Sequence, residues 1–213
     1  MIKVLIADDH DIVREGVKQI VSETADIVVG GEAHTGAEAI AQVRSAKWDV
    51  IILDLNLPDR TGLEVLSQIR SMAPHVPVLI FSMHQQVSYA TRVLKAGAAG
   101  YVSKDSARAH LVNAIRRVAA GERYLTPELA ESLAFGVLDA TNEKQHERLS
   151  DREFQVLCLI AAGKPPREIG AELNVSVKTV ATHRARLLAK MGLKNNAEVV
   201  GYAIEHDLLP KRG

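Results

Sequence analysis

The sequence predicts an α/β fold, a doubly wound five-stranded parallel sheet, followed by a second, smaller all-α domain. Three observations carry this expectation. Short apolar runs alternate with helix-length segments over residues 1–120, most of the runs end on a polar residue, and the chain then shifts to basic sequence of helical period.

The runs are Lys3 to Ala7, followed by Asp8 and Asp9, then an apolar stretch near Ile27 to Val29. Next come Val50 to Leu53, followed by Asp54, Val78 to Phe81, followed by Ser82, and Gly100 to Val102, with Lys104 just beyond. Between them lie helix-length segments at about 12–22, 36–46, 62–72, 85–96 and 106–120. In a doubly wound sheet the carboxyl ends of the strands open onto one crevice. Asp8, Asp9, Asp54, Ser82 and Lys104 are therefore expected to converge.

A chain of 213 residues accommodates two cores. The expected division is a first domain over 1–121, a linker over 122–147, and a helical domain over 148–213. The linker includes a helix from Thr126 to Leu138, with Thr126 as N-cap and Pro127 at the first helical position. Ala140 to Glu147 is almost devoid of apolar residues and reads as exposed chain. Formal net charge is zero, yet residues 148–213 carry 11 Lys and Arg against 7 Asp and Glu. The single cysteine, Cys158, excludes an internal disulfide and a multi-cysteine zinc site, and its apolar neighbours point to core packing. No apolar stretch reaches bilayer length, and MIKVLIADDH runs a strand into acids rather than forming a signal peptide. A cytoplasmic protein with no membrane partner is expected.

Three carboxylates at one crevice suit a hard divalent cation, Mg2+ above all, because the metal relieves their repulsion. A carboxylate beside such an ion is a nucleophile for phosphorus. Asp54, at the centre of the sheet, is the expected acceptor, Lys104 can neutralise a phosphoryl oxygen, and the Ser82 hydroxyl can donate to another. Each piece alone is weak, since strand-end Asp and Ser often serve as caps and a lone Lys is usually solvated. His10, His34, His75 and His110 show no ligand spacing, and surface or capping roles are expected for them.

The stretches VLIADDH, DVIILDLNLPDRTGLEVL, PVLIFSMH and KAGAAGYVSKD resemble the receiver domain of two-component response regulators, a flavodoxin-like fold. The resemblance implies that Asp54 accepts a phosphoryl group from a sensor histidine kinase. It implies that Asp9, Asp54 and the Asn56 backbone carbonyl bind Mg2+, with Asp8 nearby, and that Ser82 and Lys104 contact the phosphoryl group. Ser82 and Tyr101 match the switch pair, in which the hydroxyl moves toward the phosphoryl group and the aromatic turns inward. Asn56 and His84 flank the path of attacking water and are expected to tune the lifetime of the acyl phosphate; any self-dephosphorylation is slow, and the protein is not a conventional enzyme. A magnesium phosphatase is the weaker reading, because the residue two beyond the nucleophile is Asn56 rather than a general acid.

In the second domain, Ser150, Asp151, Arg152 and Glu153 form a capping-box pattern before an apolar helix that Gly163 stops. Pro166 to Leu173 predicts a second helix, Asn174 and Val175 a turn, and Ser176 the cap of a basic third helix ending before Gly192. Ala197 to Asp207 predicts a fourth, capped by Asn196. Two helices joined by a tight turn, the second basic, read as helix-turn-helix. The candidate DNA-contacting residues are Lys178, Thr179, Ala181, Thr182, Arg184, Ala185, Arg186 and Lys190, with Val180, Leu187, Leu188 and Met191 on the core side. That face offers few bidentate base readers, so phosphate contacts and DNA shape are expected to dominate.

The segment LSDREFQVLCLIAAGKPPREIGAELNVSVKTVATHRARLLAKMGL resembles a LuxR-type helix-turn-helix, and the two resemblances together imply the NarL/FixJ subfamily. They imply a transcriptional regulator that pairs as a homodimer when phosphorylated, binds double-stranded promoter DNA and meets RNA polymerase. Two departures bear on affinity: Pro165 and Pro166 replace the usual capping pair, and Ala181 and Ala185 stand where many relatives carry lysine. The alternative is a receiver-controlled protein-interaction regulator with weak or no sequence-specific DNA binding.

Overall fold

A computed structural model describes residues 1–83, 87–127, 129–131, 145–206, 208 and 209. The chain divides into two compact units, Met1–Ala134 and Phe135–Gly213. No helix among the described residues is long and apolar enough to cross a membrane.

The first unit alternates β1 (Ile2–Ala7), α1 (Asp11–Ser22), β2 (Ile27–Ala33), α2 (Gly36–Ser45), β3 (Val50–Leu53), α3 (Gly62–Met72), β4 (Val78–Ser82), α4 (Val87–Lys95), β5 (Gly100–Ser103) and α5 (Ala107–Ala119). The five strands are parallel in the order β2-β1-β3-β4-β5. Helices cover both faces, which is why the inner strands are apolar without alternation. Val4, Ile6, Val50, Ile52, Leu79, Phe81 and Val102 pack with Val17 and Val21 of α1 and with Leu111, Ile115 and Val118 of α5. The alternate residues Leu5, Ile51, Leu53 and Ile80 belong to the opposite face and are also fully buried.

The expected stretch Ile27–Val29 extends to Ala33, because the ladder passes through the Gly30–Gly31 pair with a register shift rather than ending there. At the other edge, Tyr124 forms a one-residue parallel bridge with Gly100. Its N–H donates to the Ala99 carbonyl (3.1 Å), and its carbonyl accepts from the Tyr101 N–H (3.0 Å). In the expected linker helix, the Ala130 N–H bonds the Thr126 carbonyl at 2.9 Å, which makes one helical turn. Residues 132–144, which include the rest of that helix and most of the expected exposed chain, lie outside the described residues, as do His84 and Asp207.

The second unit consists, among the described residues, of a 3-10 turn (Gln145–Arg148) and four α-helices: α6 (Asp151–Ala161), α7 (Pro166–Glu172), α8 (Val177–Met191) and α9 (Asn196–Glu205). Ser150 and Glu153 form the expected capping box. Pro166 starts α7 behind Pro165, which makes no side-chain cap bond. The turn into α8 places Asn174 at φ 51°, and the Val175 N–H bonds the Gly170 carbonyl at 2.8 Å. Ser176 caps α8, and Gly192 ends it in the left-handed region at φ 66°. The cap of α9 is Asn195 rather than Asn196: its side chain accepts the Glu198 N–H, whereas Asn196 begins the helix and accepts from Arg184 Nε at 2.6 Å. Phe154, Leu157, Ile169, Val180, Leu187, Met191 and Val199 form the core.

One glycine matters for the site. A Cβ on Gly62 would run into the Asp54 carbonyl oxygen and stand 2.6 Å from the Leu55 Cα, where the loop after β3 doubles back so that the Gly62 N–H meets the Leu55 carbonyl at 2.9 Å. Gly62→Ala is expected to destabilise the first unit by about 1–3 kcal/mol, the cost of a forced backbone shift. Gly16→Ala is a control, because nothing lies within 4 Å of an added Cβ in α1. It is expected to be neutral or to stabilise by about 0.5–1 kcal/mol. Urea unfolding followed by fluorescence of Trp48, the single tryptophan, measures both; similar midpoints for the two variants would refute the close-packing argument.

Candidate phosphoryl-transfer site and nucleic-acid interface

The ladder delivers the side chains. Ala7 pairs with Leu53, so Asp8 and Asp54 follow as neighbours at the ends of β1 and β3. Ser82 pairs with Ser103, which places Lys104 one residue beyond. Backbone bonds continue past the strand ends, from the Asp8 N–H to the Ala33 carbonyl (3.1 Å) and from the Asp54 N–H to the Ala7 carbonyl (2.9 Å).

Asp8 is 1% exposed, Asp54 2% and Ser82 0%. Lys104 Nζ lies 2.6 Å from Asp8 Oδ2 and 2.9 Å from Asp54 Oδ2. Burial opposes the ammonium charge, but Asp54 and Asp8 outweigh it and hold the Lys104 pKa above its ordinary value. Burial pushes Asp54 up, the Lys104 charge pulls it down and the Asp8 charge pushes it up again, leaving it at about 6. Leu55 N–H donates to Asp54 Oδ1 at 2.7 Å. Oxygens of Asp8, Asp9 and Asp54 and one imidazole nitrogen of His10 all lie within 4.8 Å of one another. Three carboxylates against one ammonium leave this cluster net negative and incompletely compensated, and a hard dication fits it.

Tyr101 is 3% exposed, so its side chain is turned in from the surface. Its hydroxyl bonds Ser82, and burial, together with the Asp54 charge, keeps its pKa well above the ordinary tyrosine value. Ser82 and Tyr101 are thus joined beside Asp54. Asn56 lies in the loop after Asp54 and forms an isolated bridge with Thr61, the N-cap of α3.

The sequence reading missed the contacts of two residues. His10 is exposed, in line with the expected surface role, and makes no side-chain cap bond at the start of α1. Instead its Nδ1 stands 2.7 Å from Asp9 Oδ1 and 3.3 Å from Asp8 Oδ1, and the contiguous Asp-Asp-His was the available signal. Arg14 is buried on the α1 face that carries Val17 and Val21, and its guanidinium donates to the Asp8 carbonyl. A cation at core spacing on an amphipathic helix was the signal there.

On the second unit, Lys178, Ala181, Thr182, Ala185, Arg186 and Lys190 are exposed along α8, and Thr179 and Arg184 are half-buried. Two of the cationic candidates are engaged within the unit. Arg184 Nε donates to Asn196, and Lys190 Nζ lies 2.7 Å from Glu153 Oε2. Burial raises the Glu153 pKa, but the Lys190 bond and the Ser150 backbone and side chain outweigh it and hold it below the ordinary value. Thr179 N–H is taken by the Ser176 cap.

The raised Asp54 pKa has a signed consequence. Between its ordinary 3.8 and about 6 the folded form holds a proton that the unfolded chain has released. The contribution is therefore fully present below the lower value and is lost as pH rises through the upper one. In EDTA, the advantage of Asp54→Asn over the wild type is expected to grow with pH across that window to about 3 kcal/mol at most. Urea unfolding read by Trp48 measures it, and a pH-independent difference would refute the assignment.

The chain matches the family model described as response regulator receiver domain over residues 4–116 and that described as bacterial regulatory proteins, luxR family, over residues 147–203. It is 35% identical over 209 residues to response regulator UvrY of Escherichia coli K12, covering 98% of this chain and 96% of the relative. To response regulator GacA of Pseudomonas aeruginosa it is 34% identical over 213 residues, covering 98% of each. RcsB of Salmonella enterica serovar Typhimurium, solved bound to promoter rprA with the phosphomimetic BeF3-, superposes with a TM-score of 0.65 at 26% identity. That match covers 94% of this chain and 97% of that one. A LuxR-family response regulator from Aurantimonas gives 0.62 at 36% identity, over 65% of this chain and 99% of that one. The chain belongs to the two-component response regulators of NarL/FixJ type, with a flavodoxin-like receiver domain followed by a helical LuxR-type domain.

Proposed function

We propose that the protein is a phosphorylation-controlled transcriptional regulator in which a sensor histidine kinase modifies Asp54 and the modified receiver controls dimerisation and promoter binding. The observation that carries the proposal is the buried Asp54 carboxylate, 2.9 Å from Lys104 and within one cluster with Asp8 and Asp9. Asp54 attacks phosphorus as a carboxylate: an O–P bond forms, the P–N bond of the kinase phosphohistidine breaks, and the imidazole leaves with the bonding electrons. Lys104 and the Ser82 hydroxyl then hold phosphoryl oxygens, and the Ser82–Tyr101 pair follows the change. Asp9, Asp54 and the Asn56 backbone carbonyl would hold Mg2+, with Asp8 alongside, and the ion would supply neutralising charge at the phosphoryl group. Slow hydrolysis of the acyl phosphate returns the receiver to its resting state.

In the second unit, Lys178, Thr179, Ala181, Thr182, Arg184, Ala185, Arg186 and Lys190 form the DNA-facing side of α8. The solved promoter complexes of RcsB support this reading, and so does the structure described as two RcsB dimers bound to two parallel DNAs. A homodimer on paired half-sites follows from the two-fold logic of such motifs. The setting is cytoplasmic, and a promoter-bound dimer would present itself to RNA polymerase.

A second reading, a regulator acting through a protein partner, is favoured by the exposed alanines at 181 and 185 and by the engagement of Arg184 and Lys190 within the unit. Capture of sheared genomic DNA by the full-length protein, with and without Mg2+ and beryllium fluoride, separates the two. Paired half-sites enriched with the mimic, and lost in Asp54→Asn, are expected. No enrichment, with the mimic shown to be bound, favours the protein partner. Lys178→Ala is expected to weaken all DNA sequences about equally and to reduce the salt slope by about one. A loss confined to one base position would instead mark Lys178 as a base reader.

A further inference from the structure

The turn between β1 and α1 carries two of the three carboxylates, and a buried cation sets its shape. The Arg14 side chain is only 5% exposed. Nη1–H donates to the Asp8 carbonyl at 2.8 Å and Nε–H to Glu32 Oε2 at 3.0 Å, while Nη2–H is taken by Asp11. Glu32, at the end of β2, is fixed in turn by Lys18 Nζ at 2.9 Å. One rigid fork thus ties the turn to its own helix and to the neighbouring strand, geometry that a lysine lacks.

The Asp8 carbonyl belongs to the peptide plane that joins Asp8 to Asp9. Fixing a peptide plane constrains the backbone dihedrals on either side of it and so the direction of the next side chain. Within the same turn, Asp8 Oδ1 accepts the His10 N–H at 3.0 Å. Asp8 and Asp9 are therefore aimed before any ligand arrives, and none of the Arg14 bonds goes to their carboxylates.

We infer that Arg14 is the positioning residue of the acidic cation site, holding the Asp8–Asp9 peptide so that both carboxylates meet Asp54 and raising divalent-cation affinity through pre-organisation rather than contact. The inference rests on the reading of the cluster as a Mg2+ site. A partner that orients metal-binding groups from behind typically contributes tenfold or more in affinity. An Arg14 that merely filled a polar gap in the core would change stability and leave affinity alone.

The test is Mg2+ titration calorimetry on the full-length wild type, Arg14→Gln and Arg14→Lys, with urea unfolding in EDTA read by Trp48 as the separate measure of stability. Binding of beryllium fluoride, followed by 19F NMR at saturating Mg2+, gives a second readout. Arg14→Gln is expected to weaken Mg2+ binding by about tenfold or more. Arg14→Lys, which keeps the charge but reaches fewer acceptors, is expected to lose less, and both variants should recover the fluoride complex once Mg2+ saturates. Wild-type Mg2+ affinity in Arg14→Gln overturns the inference, whatever its unfolding midpoint. Should Arg14→Gln fail to fold, Arg14→Lys decides, and unchanged affinity there overturns the inference equally. A wild type that binds no Mg2+ refutes the metal-site reading itself, an outcome distinct from a variant that binds as well as the wild type.

Discussion

Two carboxylates buried at the ends of adjacent strands repel each other, and the Lys104 ammonium between Asp8 and Asp54 is the interaction on which the receiver depends. Unpaired, either carboxylate at that depth would shed its charge by taking a proton. Paired, the cluster retains charge in a place sealed from water on most sides. The compensation is incomplete, since one cation faces three acids, and the residual field makes the crevice receptive to cations and to a phosphoryl group that arrives with one. Site and scaffold are therefore joined: the same parallel register that buries Leu53 and Ile80 places Asp54 and Ser82, with no freedom to move one without the other.

The second unit uses a buried carboxylate in another way. Glu153 accepts the Ser150 N–H at 2.7 Å as half of a capping box and also receives Lys190 from α8. One side chain thus closes the start of α6 and braces the basic helix against it. A cap alone contributes about 1 kcal/mol; shared with the ion pair, it also fixes where α8 lies on the core. A lysine on the nominal DNA face is therefore partly scaffold, which weighs against counting every cation on that helix as a phosphate contact.

Elements built on a continuous signal were legible in the sequence. β3 coincides with the apolar run Val50–Leu53, and α3 fills the expected helix-length segment 62–72. Competition between equivalent signals was not legible. Asn195 and Asn196 are adjacent and chemically identical, and only the packing of α9, with Arg184 reaching Asn196, selects which one caps. Gly30 and Gly31 resemble a strand break, yet pairing with β1 resumes at Gly31 after a register shift that leaves Gly30 without a ladder partner. For the site, strand-end acids could be listed but not their supports. Arg14 acts through a backbone carbonyl and His10 through a neighbouring carboxylate, and such contacts leave a weaker mark in sequence than a ligand does.

Tyr101 is anchored twice, by its hydroxyl to Ser82 and by its backbone N–H to the Tyr124 carbonyl. The chain leaving α5 is thus stitched to the strand that carries Tyr101, through two backbone hydrogen bonds of about 0.5–1.5 kcal/mol each. Peeling that stitch costs about as much as the coupling energies typical of allosteric proteins. The chain between α5 and Tyr124 is consequently held at the sheet edge by a single-residue bridge. A Cβ at Gly100, 2.7 Å from the Tyr124 carbonyl oxygen, would press directly on that stitch. It would loosen the chain that leaves α5 at that one bridge.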